Sequence, residues 1–228
     1  MSKLCIVYGY HGTMTAVMTK HFNLFKQHNP EADVMPVSFK TQPIPADWST
    51  GLKLVNESLE CDLMLYRFFE LNPGYDKYLF AEWDVYCNQS VRDFIGAAYD
   101  KDAVGATVVY PDKLETVVPG YPTKQKDWGH FWSTFTSDNA QYLEEFRPSL
   151  RGIIPAGFTL FSNRALAAIL LELRHPAYQR MFCECRLGTA ATRAGYEPVS
   201  YDPGNAHKKV WCEYREPNGT GIFHICKK

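Results

Sequence analysis

Apolar positions along the chain recur with the period of a strand in some segments and with the period of a helix in others. The first apolar run, from Leu4 to Tyr8, is closed by Gly9 and predicts a strand buried on both faces of a parallel sheet. The apolar residues from Met14 to Phe25 follow at helical spacing and predict a helix with Thr13 as its N-cap. This order predicts the opening of an α/β domain.

The rest of the chain continues the alternation, apart from one long irregular segment at 111–150 that we expect to be functional. Further helices are predicted at 52–59, after Ser90, after Ser162, and from Cys183 to Ala194 with Gly195 as C-cap. Without a repeat or linker, the pattern predicts a single domain over residues 1–228. Further strands are predicted at 34–39, 62–69, 78–81, 104–110, 153–161, 197–201 and 221–226, the first of them at a sheet edge because it contains Pro36.

Composition and charge exclude several classes of function. The 24 Lys and Arg residues are balanced by 25 Asp and Glu, a net charge of -1, which argues against a nucleic-acid partner. The 7 cysteines are odd in number and lack paired spacing, so we expect reduced thiols rather than a disulfide framework. No apolar run is long enough for a bilayer span or a signal segment. We therefore expect a cytoplasmic protein, and the sequence predicts no protein partner.

Two carboxylates stand directly after the predicted strand 78–81. At the i, i+2 spacing of Glu82 and Asp84, an extended backbone would point both side chains the same way, at the sheet edge where open α/β folds bind ligands. Such a pair suits a hard divalent cation that shares its remaining positions with phosphate oxygens. Taken alone, two acids in this arrangement are more often solvated strand-end residues.

Residues Tyr78 to Val85 resemble the metal-binding DxD segment of nucleotide-sugar-dependent glycosyltransferases of the GT-A fold, with Glu82 in place of the more usual first Asp. Segment 221–227 is similar to the ending of many such enzymes. The resemblance implies a GT-A-like, Rossmann-like α/β domain whose mixed, mostly parallel central sheet is flanked by helices. It also implies a donor-binding half at 1–110 and an acceptor-binding half at 111–228 that ends in a metal-ligand strand.

On this resemblance, Glu82, Asp84 and His224 are the expected ligands of Mn²⁺ or Mg²⁺, with His207 as a rival to His224. Asp84 would thereby be catalytic, and Lys227 would meet the diphosphate of the donor.

The helix that begins at Cys183 resembles the acidic helix beneath the acceptor in inverting members of the fold. Glu184 is the expected general base there, although acids are also common in first turns because the helix dipole stabilises them.

The loop after the first strand is the expected nucleoside site, since members of the fold hold the nucleoside there. It contains neither GxxxxGK[ST] nor GxGxxG, so it is not a P-loop, and a nicotinamide site has no support in the sequence. Tyr8 or Tyr10 would stack on the base. Gly9 and Thr13 in this loop are further expected contacts of the nucleoside. Arg67 is either a contact of the nucleotide or its phosphates or part of a salt bridge.

The aromatic residues of the long irregular segment are the expected acceptor platform, namely Trp128, His130 and Trp132.

The predicted function is metal-dependent transfer of a sugar from a nucleoside diphosphate donor, with a UDP-sugar expected, to a hydroxyl acceptor on a glycan or other biomolecule. A sugar-1-phosphate nucleotidyltransferase is one alternative, although its usual basic residue is missing from the loop Tyr8 to Thr13. A non-catalytic carbohydrate-binding protein is the other, and nucleotide binding distinguishes the two classes.

Overall fold

The computed structural model describes residues 3–54, 60–110, 140–201 and 222–224, and strands and helices alternate through these ranges. The strands are β1 (Leu4–Gly9), β2 (Asp33–Val37), β3 (Lys77–Glu82), β4 (Val85–Cys87), β5 (Ala103–Val109), β6 (Gly152–Ser162), β7 (Val199–Ser200) and β8 (Ile222–His224). The α-helices are α1 (Ala16–His28), α2 (Asp62–Leu71), α3 (Val91–Ile95), α4 (Leu143–Phe146), α5 (Asn163–Glu172) and α6 (Cys183–Arg193).

Six strands form the central sheet in the order β2-β1-β3-β6-β5-β7. Strand β1 is parallel to both β2 and β3, and β5 is parallel to β7. Strand β6 runs antiparallel to both of its neighbours, β3 and β5. The sheet is therefore mixed and mostly parallel, with one reversed strand, which confirms the predicted fold class. Strands β4 and β8 form a separate antiparallel pair.

Both faces of the sheet are covered, because successive side chains of a strand point to opposite faces. Val7 and Phe80 pack on one face with apolar residues of α2, α5 and α6. Ile6 and Leu79 pack on the other face with residues of α1 and α3. Every residue of β1 is buried, as its continuous apolar run predicts.

Most predicted helix ends are confirmed by capping contacts. The Ser162 hydroxyl accepts a hydrogen bond from the Ala165 amide, and Ser90 caps α3 in the same way. Gly195 follows α6 with a φ of +89°, a conformation that favours glycine. The prediction for α1 is wrong by two residues, because Thr15 rather than the exposed Thr13 accepts the hydrogen bond from the Met18 amide.

The strand predicted at 62–69 is wrong, since these residues form helix α2. The helix is buried on nearly all sides between the sheet and the helices α5 and α6, so its sequence lacks the polar face that normally reveals helical spacing. A continuous apolar run does not distinguish such a helix from a buried strand.

The other predicted strands are present with slightly different bounds, and β2 with Pro36 lies at the edge of the sheet. Of the helix predicted at 52–59, residues 55–59 lie outside the described ranges and 52–54 are not helical; most of the irregular segment, 111–139, also lies outside them. Within the described part of the chain, every helix is too short or too polar to cross a bilayer.

Candidate functional site

Strands β1 and β3 end side by side, which brings two predicted site segments together. Gly9 is in register with Glu82 on one side and with Val37 on the other. The Tyr10 amide donates a hydrogen bond to the Val37 carbonyl at 2.9 Å, so the loop after β1 leaves the sheet at this edge. The acidic turn, Trp83 and Asp84, leaves β3 at the same edge.

The Glu82 side chain lies over the backbone of the reversed strand β6. A Cβ added at Gly157 would stand 2.3 Å from Glu82 Oε2 and 2.8 Å from Glu82 Cβ. The Glu82 side chain therefore occupies the space beside Gly157.

The negative charges of Glu82 and of the predicted base Glu184 both raise the pKa of one buried thiol, that of Cys61. The hydrogen bond with Cys183 lowers the pKa of Cys61, but burial and the negative charges of Glu82, Asp62 and Glu184 together raise it above its usual value. Glu184 lies in the first turn of α6, where its Oε2 accepts a hydrogen bond from Cys183 Sγ at 2.7 Å. The structure thus brings a carboxylate from β3 and one from α6 to one side of the sheet.

Asp84 has different neighbours from Glu82. Strand β3 ends at Glu82, and Trp83 and Asp84 form a turn before β4. The Asp84 side chain is 8% exposed and lies near Tyr8, whose pKa is raised first by burial and then by the Asp84 charge. The expectation that an extended backbone points both carboxylates the same way is wrong, because the backbone turns between them.

The acidic turn is held in place through the carbonyl of Trp83. The Tyr8 hydroxyl lies 3.0 Å from the Trp83 carbonyl oxygen and 2.9 Å from that of Met18. The Nδ1 atom of His21 lies 2.9 Å from the same Trp83 oxygen. Because a carbonyl only accepts, the imidazole must carry its proton on Nδ1 to donate here.

The C-terminal strand β8 lies beside the acidic turn. It pairs antiparallel with β4, and the register sets His224 opposite Val85, the residue that follows Asp84. The structure describes the backbone of His224; within the described side chains, no three His, Cys, Asp or Glu are grouped to hold a metal ion. His207 and Lys227 lie outside the described residues.

The predicted nucleoside loop needs one correction. Tyr8 is fully buried, with its ring edge-on to Phe22 at 5.6 Å and to Phe25 at 6.1 Å, so it cannot stack on a base. Tyr10 is half-buried at the start of the loop. A Cβ at Gly9 would stand 2.8 Å from Phe80 Cε2, so the absence of a side chain at Gly9 serves packing within the sheet.

Arg67 is also misplaced by the sequence prediction. It lies in helix α2 rather than at a strand end, and its guanidinium forms an ion pair with Glu70. The Glu70 carboxylate also accepts a hydrogen bond from Trp48 Nε1 at 3.0 Å. The salt-bridge alternative for Arg67 is therefore the one observed. The acceptor platform, Trp128, His130 and Trp132, lies outside the described residues.

Sequence reasoning did not identify His21 as part of this site. His21 falls within the apolar stripe of α1 and is 5% exposed, so its spacing resembles that of a core residue. The one available signal is an imidazole at a position where α1 otherwise presents apolar side chains to the sheet.

No family model matches the sequence, and no curated protein matches it. Two solved structures share the arrangement of this chain. A glycosyltransferase involved in the glycosylation of the major capsid of PBCV-1 is 10% identical, with 99% of this chain and 94% of that chain covered and a TM-score of 0.50. The bifunctional glycosyltransferase WbbM is 11% identical, with 100% of this chain but only 46% of that chain covered and a TM-score of 0.51.

This chain has the GT-A fold of glycosyltransferases. At these identities the likeness concerns the fold alone. In this GT-A sheet, the loop after β1, the turn after β3 and Gly157 of β6 meet at one edge. That edge is where open α/β sheets bind their ligands, and the acidic turn lies on it.

Proposed function

We propose that this protein is a metal-dependent glycosyltransferase that uses a nucleoside diphosphate sugar, expected to be a UDP-sugar, and a hydroxyl acceptor on a glycan or other biomolecule. The observation that carries the proposal is the register of β4 with β8, which sets His224 beside the residue that follows Asp84. This pairing supports the proposal, because it brings the backbone of a strand that carries an imidazole next to the turn that carries the Asp84 carboxylate.

The side chains of the proposed metal ligands are of the types that bind Mn²⁺ or Mg²⁺. Carboxylate oxygens suit both ions, and imidazole suits the transition metal. Asp84, only 8% exposed in its turn, and His224 would hold the ion, with Glu82 as a third proposed ligand. When bound, the metal would stabilise negative charge on the departing nucleoside diphosphate.

The remaining proposed roles belong to residues around this edge. Tyr10 stacks on the base, while Gly9 and Thr13 shape the loop that holds the nucleoside. Glu184 accepts the proton of the acceptor hydroxyl if the reaction inverts, which its position on the same side as Glu82 supports. Lys227 is proposed to neutralise the diphosphate, and Trp128, His130 and Trp132 to contact the acceptor.

All five described cysteines are free and buried, which supports our proposal that the protein works in a reducing compartment such as the cytoplasm.

Calorimetric titration of UDP in the presence of Mn²⁺ tests the proposed site. The wild-type chain is expected to bind, and Asp84→Asn is expected to weaken binding by at least about tenfold, because it removes the anionic ligand at a buried position. EDTA should abolish binding by the wild type. Asp47→Asn changes an exposed acid in another loop and serves as the matched control.

Equal UDP affinity in Asp84→Asn and the wild type would contradict the metal site. Absence of binding to UDP, GDP, CDP and dTDP alike would contradict a nucleotide-sugar donor and favour the non-catalytic alternative.

A further inference from the structure

Two buried side chains from different elements converge on one carbonyl of the acidic turn. We infer that Tyr8 and His21 are positioning residues that hold the turn so that Asp84 is correctly placed as a metal ligand. The inference rests on the proposed function, and it assigns roles to two residues that bind neither nucleotide nor acceptor in that proposal.

The contact point lies between the two carboxylates. The carbonyl of Trp83 receives the Tyr8 hydroxyl at 3.0 Å and His21 Nδ1 at 2.9 Å. A peptide unit is planar and includes the next Cα atom. Fixing the Trp83 carbonyl oxygen therefore fixes the direction in which the backbone enters Asp84, and with it the start of the Asp84 side chain.

The two anchors are themselves held firmly. Tyr8 is fully buried in strand β1, and its hydroxyl proton is shared between the Trp83 carbonyl and the Met18 carbonyl of α1, which lies 2.9 Å from the hydroxyl oxygen. The His21 ring packs edge-on against Tyr86, with ring centroids 5.6 Å apart and an interplanar angle of 87°.

Tyr86 belongs to β4, the strand that pairs with β8. Helix α1 therefore contacts the acidic turn at its carbonyl and the strand that follows it, which couples the position of Asp84 to the strand carrying His224. Loss of either donor would leave the partly buried Trp83 carbonyl with one protein hydrogen bond fewer, which loosens the turn.

The test uses the full chain and compares variants that change the donors in graded ways. Tyr8→Phe removes only the hydroxyl, His21→Leu removes the imidazole donor, and His21→Asn keeps an N–H donor close to the position of Nδ1. Phe22→Leu alters packing beside Tyr8 without touching the Trp83 carbonyl, so it is the matched control.

Two readouts are taken on each variant below its melting temperature. Amide hydrogen exchange over residues 82–87 reports whether the turn is held, without any metal. Electron paramagnetic resonance of added Mn²⁺ reports the metal dissociation constant. We expect Tyr8→Phe and His21→Leu to speed exchange in this segment and to weaken Mn²⁺ binding by about tenfold or more, the usual loss for residues that orient a metal ligand. His21→Asn should restore most of both losses, and Phe22→Leu should change neither.

Unchanged exchange in Tyr8→Phe and His21→Leu would overturn the inference, as would faster exchange together with an unchanged Mn²⁺ dissociation constant. Failure of the wild-type chain to bind Mn²⁺, alone or with UDP, would instead overturn the proposed function and the metal role of both anchors. The exchange result in the same samples keeps the two failures distinct, because it reports on the turn alone.

Discussion

Gly157 shows how a missing side chain can fix the position of a charged one. Its bare backbone on β6 accommodates the Glu82 side chain, whose Oε2 would be 2.3 Å from any Cβ at that position. The reversed direction of β6 matters here, because it carries this glycine to the edge where the parallel strand β3 ends. The position of Glu82 therefore depends on a residue far from it in the sequence.

Gly157→Ala is expected to destabilise the protein by about 1–3 kcal/mol, the usual cost of overpacking, because Glu82 Cβ and Oε2 both obstruct the new methyl group. Urea unfolding gives the free energy. Gly74→Ala is the matched control, since no atom lies within 4 Å of the added Cβ there. An equal effect of the two substitutions would argue against the contact between Gly157 and Glu82.

Local features at this scale were predictable and tertiary contacts were not. The Ser162 and Ser90 caps follow from short-range chemistry, and both are observed. The contact of Gly157 with Glu82 and the burial of Tyr8 depend on which strands are neighbours, which the sequence does not reveal. The alternation of side chains along β1 places the Tyr8 ring on one face of the sheet. Helix α1 covers that face, so no room is left beside the ring for a base.

The elements α2 and α6 are tied together by a buried ion pair. The Arg186 guanidinium donates from Nε to Asp62 Oδ2 at 2.8 Å and from Nη2 to Asp62 Oδ1 at 2.5 Å. Its Nη1 donates to the carbonyls of Tyr178 and Met181 at 3.2 Å and 2.9 Å. The pair joins the first turn of α2 to the first half of α6, the helix that carries Glu184.

Arg186→Met is expected to lower the free energy of unfolding by about 3–5 kcal/mol, because it leaves the Asp62 charge buried without its partner. Arg164→Met removes the guanidinium of a surface pair with Asp102 and should leave stability nearly unchanged, since that side chain is largely exposed. Denaturant titration of both variants measures the difference. A small effect of Arg186→Met would show that the pair does not connect the two helices in solution.

Helix α2 also marks the limit of pattern reading at the scale of elements. Helices with one polar face are predictable from the sequence to within a few residues, but α2 has the sequence pattern of a buried strand because it is buried on nearly all sides. The sequence does contain one sign of this helix: Asp62 is an acid in the first turn, where the helix dipole favours negative charge.

Across the whole molecule, buried thiols make stability sensitive to alkaline pH. Burial, followed by the Asp33 charge, raises the pKa of Cys5 from 9.0 to about 12, and burial raises the pKa of Cys87 to about 11. Above pH 9 the unfolded chain releases these protons and the folded chain retains them. Stability is therefore fully present below pH 9 and falls as the pH rises toward the folded values.

Between pH 9 and 11, the free energy of unfolding of Cys5→Ala should fall less steeply with pH than that of the wild type. The difference should be about 1.4 kcal/mol per pH unit, which is the contribution of one thiol. Urea unfolding at successive pH values checks this. The variant will be less stable at neutral pH because of lost packing, and its deficit should narrow as the pH rises. Val7→Ala removes apolar volume from the same strand without a titrating group, so its curve should run parallel to that of the wild type.

The order of strands has a consequence for how the chain acquires its structure. Within the described residues, β5 pairs only with β6 and β7, and both of these come after residue 150. A polypeptide that ends at residue 110 would therefore hold β1, β2 and β3 together but leave β5 with no strand beside it. The sheet cannot close until β6 arrives and inserts between β3 and β5. During synthesis this late insertion should keep the first half incomplete, and the proposed nucleotide binding should emerge only once the second half has folded onto it.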